Sequence, residues 1–156
     1  MPDKKFLIIS LSIFILALIS WKALDAYNNQ STYRQINESE ETFAAEKLEV
    51  IDFHTTARCV SCLILEDLTK KTLETNFASE IANGVISFSS INVDLPENRA
   101  LAQEYQATGS SLFIKAILAD GSTRHKQYLQ VWQYLNNEEA FIGYLSQEIN
   151  QLLGKN

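Results

Sequence analysis

Two cysteines separated by two residues, Cys59-Val60-Ser61-Cys62, stand between a short apolar segment and a long helical one, and this placement constrains the chain more than any other feature. Residues 48–53, Leu-Glu-Val-Ile-Asp-Phe, are short, apolar and rich in β-branched side chains, which suits a buried strand. After the dithiol, Leu65, Leu68 and Phe77, with Ile64 and Leu73 alongside, keep a helical face, while Glu66, Lys70, Lys71 and Glu74 are expected to fall outward. The chain holds no other cysteine. A cross-link across two residues closes a tiny loop and removes little denatured-state entropy, so it is a poor structural staple. The pair therefore points to reactivity or to metal.

The remainder reads as a small α/β domain. Asn83-Gly84 punctuates the chain, and Val85, Ile86, Phe88, Ile91 and Val93 alternate well enough for a second strand. Asp94 with Glu97 three residues later reads as a capping box, with Pro96 in the first turn of a helix that runs to about Gln106. An apolar run, Leu112 to Ala119, meets Asp120-Gly121, a tight-turn signal into Thr123–Tyr128. From Glu138 to Leu153 the chain is amphipathic, with Phe141, Leu145, Ile149 and Leu152 or Leu153 on one face. A βαβ unit followed by ββα predicts one mixed central sheet flanked by helices.

Residues 6–20 carry no charge and follow Lys4 and Lys5, the pattern of a secretory signal or signal anchor. As a helix this run rises about 22 Å, short against a hydrocarbon core of about 30 Å, though Trp21 can sit at the interface. No small-x-small cleavage site follows, since Leu18 precedes Ser20 and Leu24 precedes Ala26. The expectation is an uncleaved single-pass anchor over 1–21, a polar acidic tether over 22–46 and a folded domain over 47–154. The lysines stay cytoplasmic under the positive-inside rule, which places the domain on the extracytoplasmic, periplasmic side. Secretion after cleavage is the alternative. A net charge of −6 with no basic cluster argues against nucleic acid.

A cysteine at a helix start faces unsatisfied backbone N–H groups and the positive end of the dipole, which favour thiolate over thiol. Arg58 adds a positive charge next door. The expected chemistry is attack by Cys59 on a disulfide sulfur, then attack by Cys62, one turn on, to release the substrate. Asp52, a carboxylate inside an apolar strand seven residues before Cys59, could take the proton from Cys62. The alternative is that Asp52 points to solvent from an edge strand. Metal is a rival use of the cysteines, with His54 and His125 as the available imidazoles. Two inert buried cysteines are a third reading. No Gly-x-Gly-x-x-Gly is present and no cofactor is expected.

These residues resemble the thioredoxin superfamily over about 46–153. Val50-Ile51-Asp52-Phe53 looks like its first core strand and buried acid, with one extra residue before the first cysteine. Residues 105–112, Tyr-Gln-Ala-Thr-Gly-Ser-Ser-Leu, look like the stretch that crosses over to the dithiol, and Asp120-Gly121 like its hairpin turn. Two positions depart from the pattern: Arg58 replaces the usual tryptophan, and Ser111 stands where a cis-proline faces the dithiol. A cis bond before serine would cost roughly 2.5–4 kcal/mol, so a trans bond is expected. The resemblance implies a thiol–disulfide oxidoreductase or electron-relay subunit with Cys59, Cys62 and Asp52 as its catalytic residues and Arg58, Ser110 and Ser111 along its substrate groove.

A closer resemblance is to a small bacterial family of thioredoxin-like proteins named for nitrophenyl compound nitroreductase. It is carried by Phe53-His54 and Arg58-Cys59-Val60-Ser61-Cys62, by residues 93–99, and by Val131-Trp132-Gln133-Tyr134-Leu135 followed by Glu138-Glu139-Ala140-Phe141. It suggests a thioredoxin-like redox role, and the serine where a proline is expected makes a dedicated protein thiol or disulfide partner more plausible than a broad range of substrates. The competing class is a binding module in which Trp132 and Tyr134 dock a partner while the dithiol is structural or holds metal.

Overall fold

The computed structural model describes residues 44–155. The expected anchor over 1–21 and most of the tether over 22–46 lie outside them. Among the described residues, no helix is long and apolar enough to cross a membrane.

The first strand, β1 (Lys47–His54), lies between two neighbours. It pairs in parallel with β2 (Ile86–Asn92) and antiparallel with β3 (Ser111–Ile117). Its near-continuous apolar character follows, because both of its faces are covered. Leu48 and Val50 are buried on one face, Ile51 and Phe53 on the other. The fourth strand, β4 (Thr123–Gln127), closes the order β2-β1-β3-β4 and is exposed along its length. Its Arg124 and Lys126 suit an edge that must not recruit further strands.

On one face lie helix α1 (Val60–Asn76) and the C-terminal helix α4 (Glu138–Leu152). In α1, Leu65, Leu68 and Leu73 are buried as their spacing predicts. Thr69 and Thr72 are buried too, and their hydroxyls donate to the carbonyls of Leu65 and Leu68 at 2.8 and 2.7 Å, which satisfies each within the helix. Helix α4 starts at Asn137, whose side-chain oxygen accepts the Ala140 N–H at 3.1 Å. Phe141, Leu145 and Ile149, four residues apart, are fully buried against β1, β3 and α1. Trp132 lies in a 3-10 turn, Leu129–Tyr134, and packs half-buried against this same core, as a core reading of it requires.

The other face is smaller. Phe53, Tyr105 and Phe113 form an aromatic cluster with ring centroids 5.3–5.6 Å apart. Leu101 of a short helix, α3 (Arg99–Glu104), packs against it. A second short helix, α2 (Ala78–Ala82), follows α1 directly.

Three local expectations need correcting. Asp94 does not cap a helix. The chain enters a 3-10 turn, Pro96–Asn98, from Leu95 with no side-chain cap, and α3 ends at Glu104 rather than near Gln106. The Asp94 carboxylate is engaged elsewhere, accepting the Thr56 N–H at 2.7 Å. The packed structure also starts before residue 47: Ala45 is buried, and its N–H donates to the Leu152 carbonyl at 2.8 Å. Third, Glu66 does not fall outward but is buried. The hairpin follows its turn signal. Gly121 adopts φ +80°, a conformation that costs glycine little, and Ser122 N–H donates to Asp120 Oδ1 at 2.8 Å.

Candidate functional site: a dithiol over a buried charge cluster

The chain leaves β1 at His54, crosses residues 55–58 and enters α1. That short loop is held from the far side of the sheet edge. Asp94 accepts from Thr56 N, and Asn92 Nδ2 donates to Thr56 Oγ1 at 3.0 Å. Cys59 is therefore delivered to a fixed place, the N-cap of α1, with extended backbone (φ −82°, ψ 161°). Its Sγ accepts the backbone N–H of Cys62 at 3.2 Å, so the sulfur occupies the position an N-cap oxygen usually takes. Charge on that sulfur is stabilised by a donor already aimed at it and by the positive end of a 17-residue helix.

The two sulfurs are joined as a disulfide. Cys59 is exposed while Cys62 is buried, so an incoming group meets Cys59 first. Val60 and Leu63, 74% and 45% exposed, flank the pair as an apolar rim.

Asp52 lies beneath the start of α1, on the face of β1 that α1 covers, with 0% of its surface exposed. The edge-strand alternative for this residue fails because β1 is central. Arg58 Nη2 donates to Asp52 Oδ2 at 3.3 Å and to the Cys62 carbonyl at 3.4 Å. Ser90 Oγ, on β2, donates to the same carboxylate oxygen at 3.4 Å. The other oxygen, Oδ1, is buried and accepts no hydrogen bond among the described residues. Two long contacts and one orphaned oxygen leave the carboxylate poorly solvated. Burial pushes its pKa up to about 6, against the opposing pull of Arg58. Desolvation wins over the ion pair here.

The sequence places Arg58 beside Cys59 and along a groove. Its guanidinium instead turns under the helix, with the side chain only 21% exposed, and Nη1 forms a close ion pair with Glu66. Glu66 Oε1 accepts from Lys70 Nζ at 2.6 Å. Burial pushes the Glu66 carboxyl up, but the hydrogen bonds from Lys70 and Arg58 outweigh it and hold the group below the usual carboxylate range. Sequence reasoning misses Glu66. The available signal is its spacing, because Cys59, Cys62 and Glu66 stand at i, i+3 and i+7 on one helical stripe.

Ser111 opens β3 opposite Phe53, at the end of the sheet where the dithiol loop lies. It is buried, and its hydroxyl donates to the Gly109 carbonyl at 3.1 Å. All peptide bonds of the described residues are trans, including the one before Ser111. Ser110 is half-buried beside it. The two imidazoles do not join the cysteines: His54 Nδ1 lies 2.9 Å from the Thr55 carbonyl, and His125 stacks on Tyr105 with centroids 4.4 Å apart. Among the described residues no three His, Cys, Asp or Glu side chains are grouped to hold a metal ion.

No family model matches the chain and no curated protein does, so the resemblance to the nitrophenyl compound nitroreductase family finds no support there. Solved structures do match. A thioredoxin from Thermus thermophilus is 18% identical with a TM-score of 0.45, covering 68% of this chain and 76% of its own. The Trx4 domain of ERdj5 is 11% identical with a TM-score of 0.45, covering 69% and 83%. The germline-specific thioredoxin Deadhead of Drosophila melanogaster is 17% identical with a TM-score of 0.42, covering 76% and 91%. Likenesses this remote say nothing about chemistry, which the side chains must carry themselves.

Proposed function

We propose that this is a thioredoxin-like thiol–disulfide oxidoreductase, or an electron-relay subunit of the same chemistry, working through Cys59 and Cys62. One observation carries the reading. The exposed cysteine caps a helix and accepts its partner's backbone N–H, and Arg58 links that helix start, through the Cys62 carbonyl, to a buried, under-solvated carboxylate.

In the reducing direction, the Cys59 thiolate attacks one sulfur of a partner disulfide, and the partner's other sulfur leaves as a thiolate. Cys62 then gives up its proton, for which Asp52 is the nearby acceptor, and attacks Cys59 Sγ. The Cys59–Cys62 bond forms and the mixed disulfide breaks. The partner, now a dithiol, has gained two electrons, and a thiol reductant restores the chain's own pair. Oxidation of a partner runs the same steps backwards.

The apolar rim of Val60 and Leu63 supports a protein rather than a small polar disulfide as substrate. Leu129 is a further exposed apolar residue, next to Tyr128, whose N–H donates to the Leu112 carbonyl. The inward turn of Arg58 and the trans bond at Ser111 favour a dedicated partner over general exchange. The charge-free run at 6–20 supports tethering of the domain to a membrane on the extracytoplasmic side.

The test uses the full-length reduced chain mixed with a protein disulfide. Cys62→Ser should stall as a mixed disulfide at Cys59, visible as a mass increase reversed by dithiothreitol, and Cys59→Ser should form none. Equal trapping by the two variants, or by neither, would overturn the assignment of roles. The reduction potential then fixes direction: below about −250 mV marks a reductant and near −120 mV an oxidant.

A further inference from the structure

The charge cluster under the dithiol has an internal order. Three acceptors surround the Arg58 guanidinium: Glu66 in a close ion pair, Asp52 Oδ2 at 3.3 Å and the Cys62 carbonyl at 3.4 Å. Only the first is a short charge-assisted contact, and such contacts are roughly twice as strong as ordinary hydrogen bonds. The two longer ones lie at the edge of useful geometry. Arg58 Nε is buried and bonded to nothing among the described residues, so the side chain is not held at its neck. Glu66 in turn is fixed by Lys70 one turn further along α1. The anchor of this arginine is therefore Glu66, and Asp52 receives the arginine at second hand.

We propose that Glu66 is a positioning residue that pins the Arg58 guanidinium beneath the helix start, against Asp52 and away from the Cys59 sulfur. The arginine precedes an exposed cysteine by a single residue and would otherwise be free to swing outward. Pinned, it serves as the fixed counter-charge of the buried carboxylate. The purpose of the device rests on the redox reading above, in which Asp52 exchanges a proton with Cys62; its test does not.

Glu66 acts on Asp52 in two opposed ways, and the sign separates them. As a neighbouring anion it makes the Asp52 carboxylate harder to ionise; as the anchor of Arg58 it makes ionisation easier. The other groups facing Asp52 are His54 on its own strand, which favours the ionised form, and Ser90 on β2, while β3 presents apolar Leu112 across from it. Lys70 bears on the cluster through Glu66. If anchoring dominates, removing the Glu66 charge raises the Asp52 titration midpoint. If Glu66 is only a nearby charge, removing it lowers the midpoint.

The experiment follows the Asp52 carboxyl carbon by NMR across pH in the full-length oxidised chain, labelled with ¹³C-aspartate and assigned with Asp52→Asn. The disulfide keeps both cysteines from titrating. Glu66→Gln, nearly isosteric, should move the midpoint up by about one unit, the lower end of the one to three units an opposite charge supplies at this range. Arg58→Lys keeps the charge but lacks the fork that spans two carboxylates, and it should also move the midpoint up. In an Arg58→Met background the sign should reverse, with Glu66→Gln now lowering it. A downward shift for Glu66→Gln with Arg58 present, or no shift for Arg58→Lys, overturns the proposal. Failure of the trapping experiment would remove the redox role while leaving this titration intact.

Discussion

Replacing Asp52 by asparagine should stabilise the oxidised protein at neutral pH, and the gain can be sized from its burial. The folded-state pKa is raised from 3.8 to about 6, so the native state binds this proton more tightly than the unfolded chain does. Between those two values the native state holds more protons, and stability falls as pH rises through the window; above it the loss is complete. A difference of about two units at 1.36 kcal/mol each amounts to about 3 kcal/mol. Asparagine has nearly the same shape and never ionises. Asp52→Asn should therefore be more stable than the parent by about 3 kcal/mol near pH 7.5, with the advantage shrinking towards zero near pH 4. Glu66 titrates with the opposite sign: its pKa is held low, so its stabilisation is present at higher pH and lost on acidification. It is common to both proteins and cancels in the difference to first order. Urea unfolding at steps of pH measures the comparison directly. Equal stabilities near pH 7.5, or a difference that stays constant down to pH 4, would refute the claim that desolvation dominates at Asp52.

The same substitution should have the reverse effect on chemistry. With its proton acceptor gone, the resolving step of Asp52→Asn should slow by about 10²-fold at neutral pH, the lower range for general base catalysis, and recover at alkaline pH. Release of thionitrobenzoate from a Cys59 adduct reads that step, and an unchanged rate would show that Cys62 loses its proton elsewhere. In the reduced chain, alkylation of Cys59 should reach half-maximum below the value of about 8.5 typical of free cysteine, with buried Cys62 lagging. A midpoint at or above that value would show that the helix start does nothing for the sulfur. Phe141→Ala should cost about 3–5 kcal/mol in denaturant unfolding, because Phe141 is fully buried between the sheet and α1. A cost under about 1 kcal/mol would mean that this part of the core collapses around the loss.

Much of the architecture is legible in the sequence because its signals are local. The period-four spacing of Phe141, Leu145 and Ile149 marks one helix face wherever α4 docks. Asp120-Gly121 encodes its own turn, since the side chain and the left-handed glycine act within four residues. The position of Cys59 at the start of α1 follows from a strand ending and a helix beginning on either side of it. Asp94 misleads for the converse reason. Asp-Leu-Pro-Glu satisfies the local pattern of a capping box, but the Thr56 N–H, 38 residues away in sequence, competes for the same carboxylate and takes it. A pattern that lives within four residues cannot register that competitor.

The charge cluster fails to show in the sequence for a related reason. Helical periodicity sorts side chains by polarity, and it assigns Glu66 to solvent because glutamate is charged. What determines its burial is the supply of cations, and Arg58 reaches it from just before the helix start, eight residues back in sequence. Lys70 adds a second cation one turn along. A lone buried carboxylate at this position would carry a desolvation penalty of several kcal/mol, and two facing carboxylates without a cation would carry more. Arg58 and Glu66 are buried as a pair, so neither of them alone announces the cluster. The position before Cys59 is then the informative one. A tryptophan there would leave Asp52 and Glu66 without their shared cation, so the arginine and the glutamate are interdependent. The arginine at residue 58 and the burial of a charge at residue 66 are one structural fact, and substituting either alone should expose the cost that the other conceals.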